Sequence, residues 1–100
     1  MGFRINYSKV ISQANDIAGD ASQLDAQIKY LAQLEQDCRE VWKGEASDAF
    51  LKKLSELRSE MTRTKNQMAT LASTIKICAD RIQREDEDAA RRAAELSTGH

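Results

Sequence analysis

The strongest constraint in this sequence is a repeat of apolar residues at alternating steps of four and three, in two long runs. At the repeat positions, the first run (residues 10–42) has only Glu35 as a polar residue, and the second (residues 50–82) has only Thr64. A repeat of about 3.5 residues is typical of α-helices that pack lengthwise with a left-handed supercoil. Because the chain contains no proline, neither run is interrupted. The sequence therefore predicts an all-α fold of two long helices.

The repeat positions define the seam along which the helices are predicted to pack, within a hairpin or a dimer. These residues are Ala14, Ile17, Ala21, Leu24, Ile28 and Leu31 in the first run, and Leu54, Leu57, Met61, Met68, Leu71 and Ile75 in the second. Cys38 and Cys78 fall on the same repeat and are predicted to be small buried hydrophobic residues. An antiparallel pairing puts them ~40 Å apart, whereas a disulfide needs Cα atoms ~5.5 Å apart. A disulfide within the chain is excluded, and one between chains stays open.

A short break at Trp42, Lys43 and Gly44 separates the two runs. We predict helix 1 over about 7–42, a turn over about 43–46 and helix 2 over about 47–96. Since so few residues connect the helices, they must fold back antiparallel as a helical hairpin, in a single domain of residues 1–100.

Capping residues are present near these limits. Asn6 or Ser8 would begin helix 1, while Ser47 and Asp48 supply cap chemistry and negative charge for the start of helix 2. Gly44 can adopt the left-handed backbone conformation that ends a helix, which a residue with a Cβ would resist. We therefore expect Gly44 to terminate helix 1.

A hairpin of these lengths leaves the end of helix 2 without a partner. With the turn near Gly44, Tyr7 lies opposite about Gln83, and about four turns of helix 2 extend further. We refer to the end of helix 2, from about residue 83 onward and including the adjacent Ile82, as the C-terminal tail. The sequence changes at the same point into a charged, alanine-rich run that needs no apolar partner.

A single hairpin buries only one stripe on each helix, which makes a marginal core. Further apolar residues widen the stripe toward what a four-helix bundle requires, and we predict that two hairpins dimerise into such a bundle. Small residues would let another helix approach closely; these are Ala14, Ala18, Gly19, Ala21 and Ser22. For Gly19, a local kink in helix 1 is the alternative.

The residues needed for catalysis or cofactor binding are not arranged for those tasks. The only histidine is His100, the last residue, and there is no glycine-rich phosphate loop. The carboxylates of residues 85–88 diverge around a helix because successive side chains are ~100° apart, so they do not predict a metal site. We therefore expect no enzymatic activity, no cofactor and no bound metal.

Charge and hydropathy argue against two further classes of protein. The net charge is −1 with acids and bases interspersed, whereas proteins that bind nucleic acid usually carry a clear basic excess. No apolar run approaches the ~18 residues of a transmembrane helix, and the N-terminus lacks the apolar region of a signal peptide. We expect no binding of nucleic acid and no membrane insertion.

Trp42-Lys43-Gly44 lies in a central turn between two heptad helices, in a chain of 100 residues. In this arrangement the chain resembles the WXG family, the Trp-x-Gly proteins of type VII (ESX) secretion in Gram-positive bacteria. The resemblance covers essentially the whole chain. It implies a helical hairpin that dimerises as an antiparallel four-helix bundle and is secreted without a cleaved signal peptide.

The resemblance also implies an export signal whose two parts meet across the dimer. One part is the turn with Trp42 and Gly44 of one subunit, and the other is a helical motif in the C-terminal tail of its partner. That motif has a hydrophobic residue, an acid four positions later, and hydrophobic residues three and seven positions after the acid. Ile82, Asp86, Ala89 and Ala93 fit this spacing, with Ile82 where the stricter form of the motif has tyrosine.

Three functions are compatible with these features. The first is a small secreted substrate or co-exported partner of a type VII system, paired as a homodimer or as a heterodimer with a related WXG protein and recognised by the secretion ATPase. The second is a cytoplasmic targeting chaperone that pairs with the helical N-terminal domain of a larger toxin. The third is a structural coiled coil. For Trp42, two roles stay open: its ring packs at the end of the bundle, or it anchors a secretion partner.

Overall fold

Two long antiparallel helices make up residues 6–98, the part of the chain that the structure, a computed structural model, describes. The first helix, α1, spans Tyr7–Val41, and the second, α2, spans Glu45–Thr98. No strand occurs within residues 6–98, and the helices form a rod of 85 × 16 × 16 Å. The prediction of an all-α antiparallel hairpin is confirmed.

The ends of α1 follow from its local hydrogen bonds. Asn6 caps the helix as predicted, because its Oδ1 accepts a hydrogen bond from the backbone N–H of Lys9 at 3.0 Å. At the other end, Trp42 leaves the helix in an extended conformation, while its N–H still donates to the Cys38 carbonyl at 2.9 Å. The tryptophan is therefore the first residue of the turn.

Gly44 and Ser47 differ from their predicted roles as helix caps. Gly44 does have a positive φ, of 125°, but it directly precedes α2, and its carbonyl accepts a hydrogen bond from the Asp48 N–H at 3.0 Å. The extended residue Trp42, and not a left-handed glycine, ends α1. Because α2 begins at Glu45, Ser47 lies inside its first turn and is too far along to cap it.

The two helices meet along one row of residues on each, at steps of seven. On α1 the buried row is Ala14, Ala21, Ile28 and Glu35, and on α2 it is Leu51, Ala72 and Ala79, with the half-buried Arg58 and Lys65 in between. Four of these nine residues are alanine, which lets the two backbones approach closely. The contact between the helices is therefore narrow.

Leu57 and Leu71, two residues of the predicted seam, do not lie between α1 and α2. They are 50% and 51% exposed, and Cys78 on the same row is exposed and not buried as predicted. Each lies one position before a residue of the row that faces α1, and one position turns a side chain by about 100° around the helix. The repeat in the sequence thus merges two neighbouring rows of α2.

Two ion pairs connect the helices along this narrow contact. The Glu35 side chain is only 5% exposed, and Arg58 Nε donates to its Oε2 at 2.5 Å. This hydrogen bond raises the pKa of Arg58. Further along the rod, Lys65 Nζ lies 3.1 Å from Asp25, which also pairs with Lys29 at 3.1 Å. Hydrogen bonds from Lys65 and then Lys29 lower the pKa of Asp25.

The hairpin has a polar side and an apolar side. A shallow groove on the polar side is lined by small and polar residues of both helices, including Ala18, Asp25, Lys65 and Ala69. The opposite side carries large apolar residues next to the buried rows, and none of them is fully buried. We call this set the apolar face: Val10, Ile17, Leu24 and Leu31 of α1, and Leu54, Leu57, Met61, Met68, Leu71 and Ile75 of α2. Gly19 has open space around it, and α1 passes through it as a continuous helix.

The paired part of the rod stops where α1 begins. Tyr7, the first residue of α1, contacts Asp86, which is three positions beyond the predicted opposite residue, Gln83. From there α2 continues for about three turns to Thr98, and residues 80–97 are exposed throughout. The C-terminal tail is thus a helix whose sides the described part of α1 leaves largely uncovered.

Replacing Arg58 by alanine is expected to destabilise the hairpin by about 2 kcal/mol, because Glu35 would keep a buried charge without its partner. The figure is below that for a fully buried pair because the Arg58 side chain is 37% exposed. Urea unfolding followed by circular dichroism, at fixed protein concentration, measures the change in the free energy of unfolding.

The matched control is Arg63→Ala, since the pair of Arg63 with Glu60 is 68% exposed on both sides and should contribute less than about 0.5 kcal/mol. Replacing Glu35 and Arg58 together by leucine should recover most of the loss. A double variant as unstable as Arg58→Ala would contradict the role given to the buried charge.

Candidate functional site

Two aromatic side chains lie together at the turn. The ring centroids of Trp42 and Phe50 are 5.6 Å apart, with the planes tilted by 46°, a favourable aromatic geometry. Trp42 is 41% exposed and Phe50 is 45% exposed, and the neighbouring Val41 is exposed almost completely. The tip, which we define as Trp42, Gly44, Ser47 and Phe50, therefore presents an apolar surface that the hairpin itself does not cover.

Ser47 holds the backbone that carries the tryptophan. Its side chain is buried, and its hydroxyl donates a 2.8 Å hydrogen bond to the Trp42 carbonyl. Gly44 supplies the positive φ that reverses the chain between them. No expectation from the sequence linked either Ser47 or Phe50 to Trp42. Their spacing of three places both on one face at the start of a helix, which is the signal that could have indicated this arrangement.

The four predicted signal residues of the C-terminal tail share one face of α2. Asp86 and Ala93 continue, at steps of seven, the row 51–79 that faces α1, while Ile82 and Ala89 continue the neighbouring row 54–75. All four residues are exposed. We call them the tail face. It continues the side of α2 that is turned toward α1 in the paired region, and the described part of α1, which begins at Tyr7, does not extend along it.

One side chain of α1 reaches this face. The hydroxyl of Tyr7 donates a hydrogen bond to Oδ2 of Asp86 across the end of the hairpin. This bond, assisted by the negative charges of Asp86 and Glu87, raises the pKa of Tyr7 to about 12 because the phenol must keep its proton to donate. The two residues are 79 positions apart, so only the register of the hairpin brings them together.

The two parts of the predicted export signal lie far apart within one chain. Trp42 is at the tip, and Asp86 is near the opposite end of the paired region. At a rise of about 1.5 Å per residue, α2 separates them by about 60 Å. Contact between the tip and the tail face would therefore require a second chain.

Two further kinds of site are missing from the described residues. Between Asn6 and Thr98, no group of three or more His, Cys, Asp and Glu side chains is placed to hold a metal ion. In the same part of the chain, neither helix combines the length and the apolar character needed to cross a bilayer. Cys38 and Cys78 are both free thiols, at positions that the antiparallel register keeps apart.

Changing Asp86 to asparagine is expected to lower the pKa of Tyr7 from about 12 toward the ordinary value of 10.0, because the accepting carboxylate and its charge are lost. Because the pKa of Tyr7 is raised in the folded protein, the contact stabilises the fold below pH 10. This contribution to the free energy of unfolding is lost as the pH rises through 12. Ultraviolet titration of the phenolate, in a Tyr30→Phe background, reports Tyr7 alone. Circular dichroism at each pH is the control for unfolding, and an unchanged titration in Asp86→Asn would argue against the hydrogen bond.

Comparison with known proteins places these features in a family. A model of the WXG100 family, described as proteins of 100 residues with WXG, matches residues 2–87. The match includes the whole tip and also Ile82 and Asp86, and it stops before Ala89. No curated protein and no solved structure matches the chain. Members of this family are small, non-enzymatic proteins of ESX-type secretion and typically form dimers. The chain belongs to the WXG100 family and is a small protein associated with ESX-type secretion.

Proposed function

We propose that this protein is an exported substrate, or a co-exported partner, of a type VII secretion system, and that it acts as a dimer without catalysing a reaction. The observation that carries the proposal is the tip of a WXG100 hairpin, where the tilted rings of Trp42 and Phe50 contact each other but stay nearly half exposed. A turn needs the glycine for its backbone, but it does not need a tryptophan. The exposed rings therefore support a role in recognition, with the secretion ATPase as the partner.

The apolar face supports dimerisation. Leu57 and Leu71 keep half of their surface exposed, and the half-buried Leu54, Met61 and Met68 adjoin them in one strip. Burial of apolar surface gains about 25 cal/mol per Å², so covering the strip with other helices is strongly favourable. The partner would be a second copy or a related WXG protein, and two such hairpins would complete a four-helix bundle.

An antiparallel arrangement of the two hairpins would join the two parts of the signal. Trp42 and Asp86 of one chain are too far apart to be recognised together. If the second hairpin lies in the opposite direction, its tip comes near the tail face of the first. One secretion ATPase could then contact Trp42 of one subunit and Asp86 of the other.

A cytoplasmic targeting chaperone is the second candidate function. The same apolar face suits the helical N-terminal domain of a larger toxin, which would take the place of the second hairpin. Analysis of the culture medium separates the two candidates: an exported protein accumulates there in a secretion-competent strain, whereas a chaperone stays in the cell. Co-purification of a larger protein in a stoichiometric complex would favour the chaperone.

Changing Leu57 and Leu71 together to aspartate is expected to weaken the dimer by about 100-fold or more, since each dimer would bury four carboxylates without partners. Sedimentation or native mass spectrometry measures the dissociation constant. The matched control is Ser59→Asp with Ser73→Asp, which adds the same charge at exposed positions on nearly the opposite side of α2. Two leucine substitutions that leave the dimer intact would show that the strip is not the interface.

Changing Trp42 to alanine is expected to abolish export while leaving helicity and dimer mass nearly unchanged, because the ring is partly exposed at the tip, beside the similarly exposed Phe50. Immunoblots of culture medium and cell pellet measure the exported fraction. Val41→Ala is the control, since it shortens the fully exposed neighbour and should leave export intact. If Trp42→Ala instead unfolds the bundle, the ring serves packing, and the recognition role is refuted.

A further inference from the structure

The contact between Tyr7 and Asp86 joins the first turn of α1 to the tail face. Tyr7 is partly buried, whereas Asp86 and the residues around it in the C-terminal tail are exposed. Besides any stability that it adds, the hydrogen bond acts on one carboxylate, at the place where α2 emerges from its pairing with α1.

The physical effect of the bond falls on the freedom of the Asp86 side chain. An exposed aspartate rotates among several rotamers, and a binding partner has to select one of them. The Tyr7 hydroxyl donates to Oδ2, which restricts the carboxylate to the rotamers that reach across the end of α1, and the bond uses only one of its two oxygens. The other residues that follow on the tail face are alanines, which have no side-chain rotamers to fix.

We infer that Tyr7 is a positioning residue for export, which acts through Asp86 by holding its carboxylate ready for a partner. The inference rests on the proposed function and deepens it, because it makes this part of the signal discontinuous in sequence, with one residue from each helix. The partner of Asp86 is a surface of the secretion ATPase that binds its carboxylate. Such a surface recognises a carboxylate through cationic or N–H donor groups. Tyr7 does not need to touch that partner.

The phenol of Tyr7 can donate its hydrogen bond at neutral pH. The pKa of Tyr7 is about 12, so the hydroxyl keeps its proton at neutral pH. Loss of the hydroxyl in Tyr7→Phe keeps the ring and its packing but releases Asp86. Fixing one side chain before binding changes affinity by about two- to tenfold, and the exported fraction should fall by a similar factor.

The test is a double-mutant cycle on export in a secretion-competent strain, with wild type, Tyr7→Phe, Asp86→Asn and the double variant. If Tyr7 acts through Asp86, both single variants reduce export, and adding Tyr7→Phe to Asp86→Asn reduces it no further. The matched control is Tyr30→Phe, which removes the same hydroxyl from an exposed ring in the middle of α1 and should leave export unchanged. Helicity and native mass are measured for every variant.

Three results would overturn the inference alone: normal export of Tyr7→Phe, normal export of Asp86→Asn, or losses that multiply in the double variant. A loss of export that is accompanied by a loss of helicity in Tyr7→Phe would assign the hydroxyl a structural role and also refute positioning. Absence of the wild-type protein from the medium would overturn the proposed function, and the inference with it. These outcomes distinguish a failure of the inference about Tyr7 from a failure of the proposed function.

Discussion

The narrow contact between α1 and α2 is the constraint on which the rest of the structure depends. Four of its nine positions are alanine, such as Ala14, Ala21 and Ala72, so the helices approach closely there but remove little apolar area from water. A rod that is 16 Å thick has almost no interior. The larger residues of the apolar face lie beside the contact, on one side, and remain partly exposed. A hairpin of this kind has its hydrophobic residues placed for packing against helices of another chain, which is why dimerisation and not a compact core is the expected source of its stability.

Charge, more than hydrophobic size, sets the register of the hairpin. Toward the Tyr7 end of the rod both facing rows are alanine, so a slide by one step of seven changes the buried area little there, because one small residue replaces another. Glu35 cannot slide in this way, since a buried carboxylate needs Arg58 opposite it. The register in turn decides which residue of α2 stands next to Tyr7. The position of Asp86 relative to α1 therefore depends on an ion pair that lies about 40 Å away along the rod.

The sequence was sufficient for the hairpin, because an unbroken repeat and a single short break leave few other folds. It was not sufficient to decide which row of α2 faces α1. Leu57 and Leu71 fit the repeat as well as the residues beside them, and the row that does face α1 contains alanines and the charged Arg58, which a search for large apolar residues passes over. The role of Ser47 was missed for a different reason. Because α2 starts two residues earlier than predicted, Ser47 is not a helix cap but a buried hydrogen-bond donor. The contact between Tyr7 and Asp86 depends on register alone, which no local pattern encodes.

Continuity of the helical repeat also explains the composition of the C-terminal tail. Since α2 is unbroken, the side that faces α1 in the paired region is the same side that forms the tail face. Alanine at 89 and 93 is a weak hydrophobic anchor when judged by size. In the paired region, however, Ala72 and Ala79 on this side of α2 allow α1 to approach closely. The tail face has small residues of the same kind, which are typical of a close helix–helix contact. A surface of this kind suits close packing by another helix, and Asp86 is the one charged residue among its four.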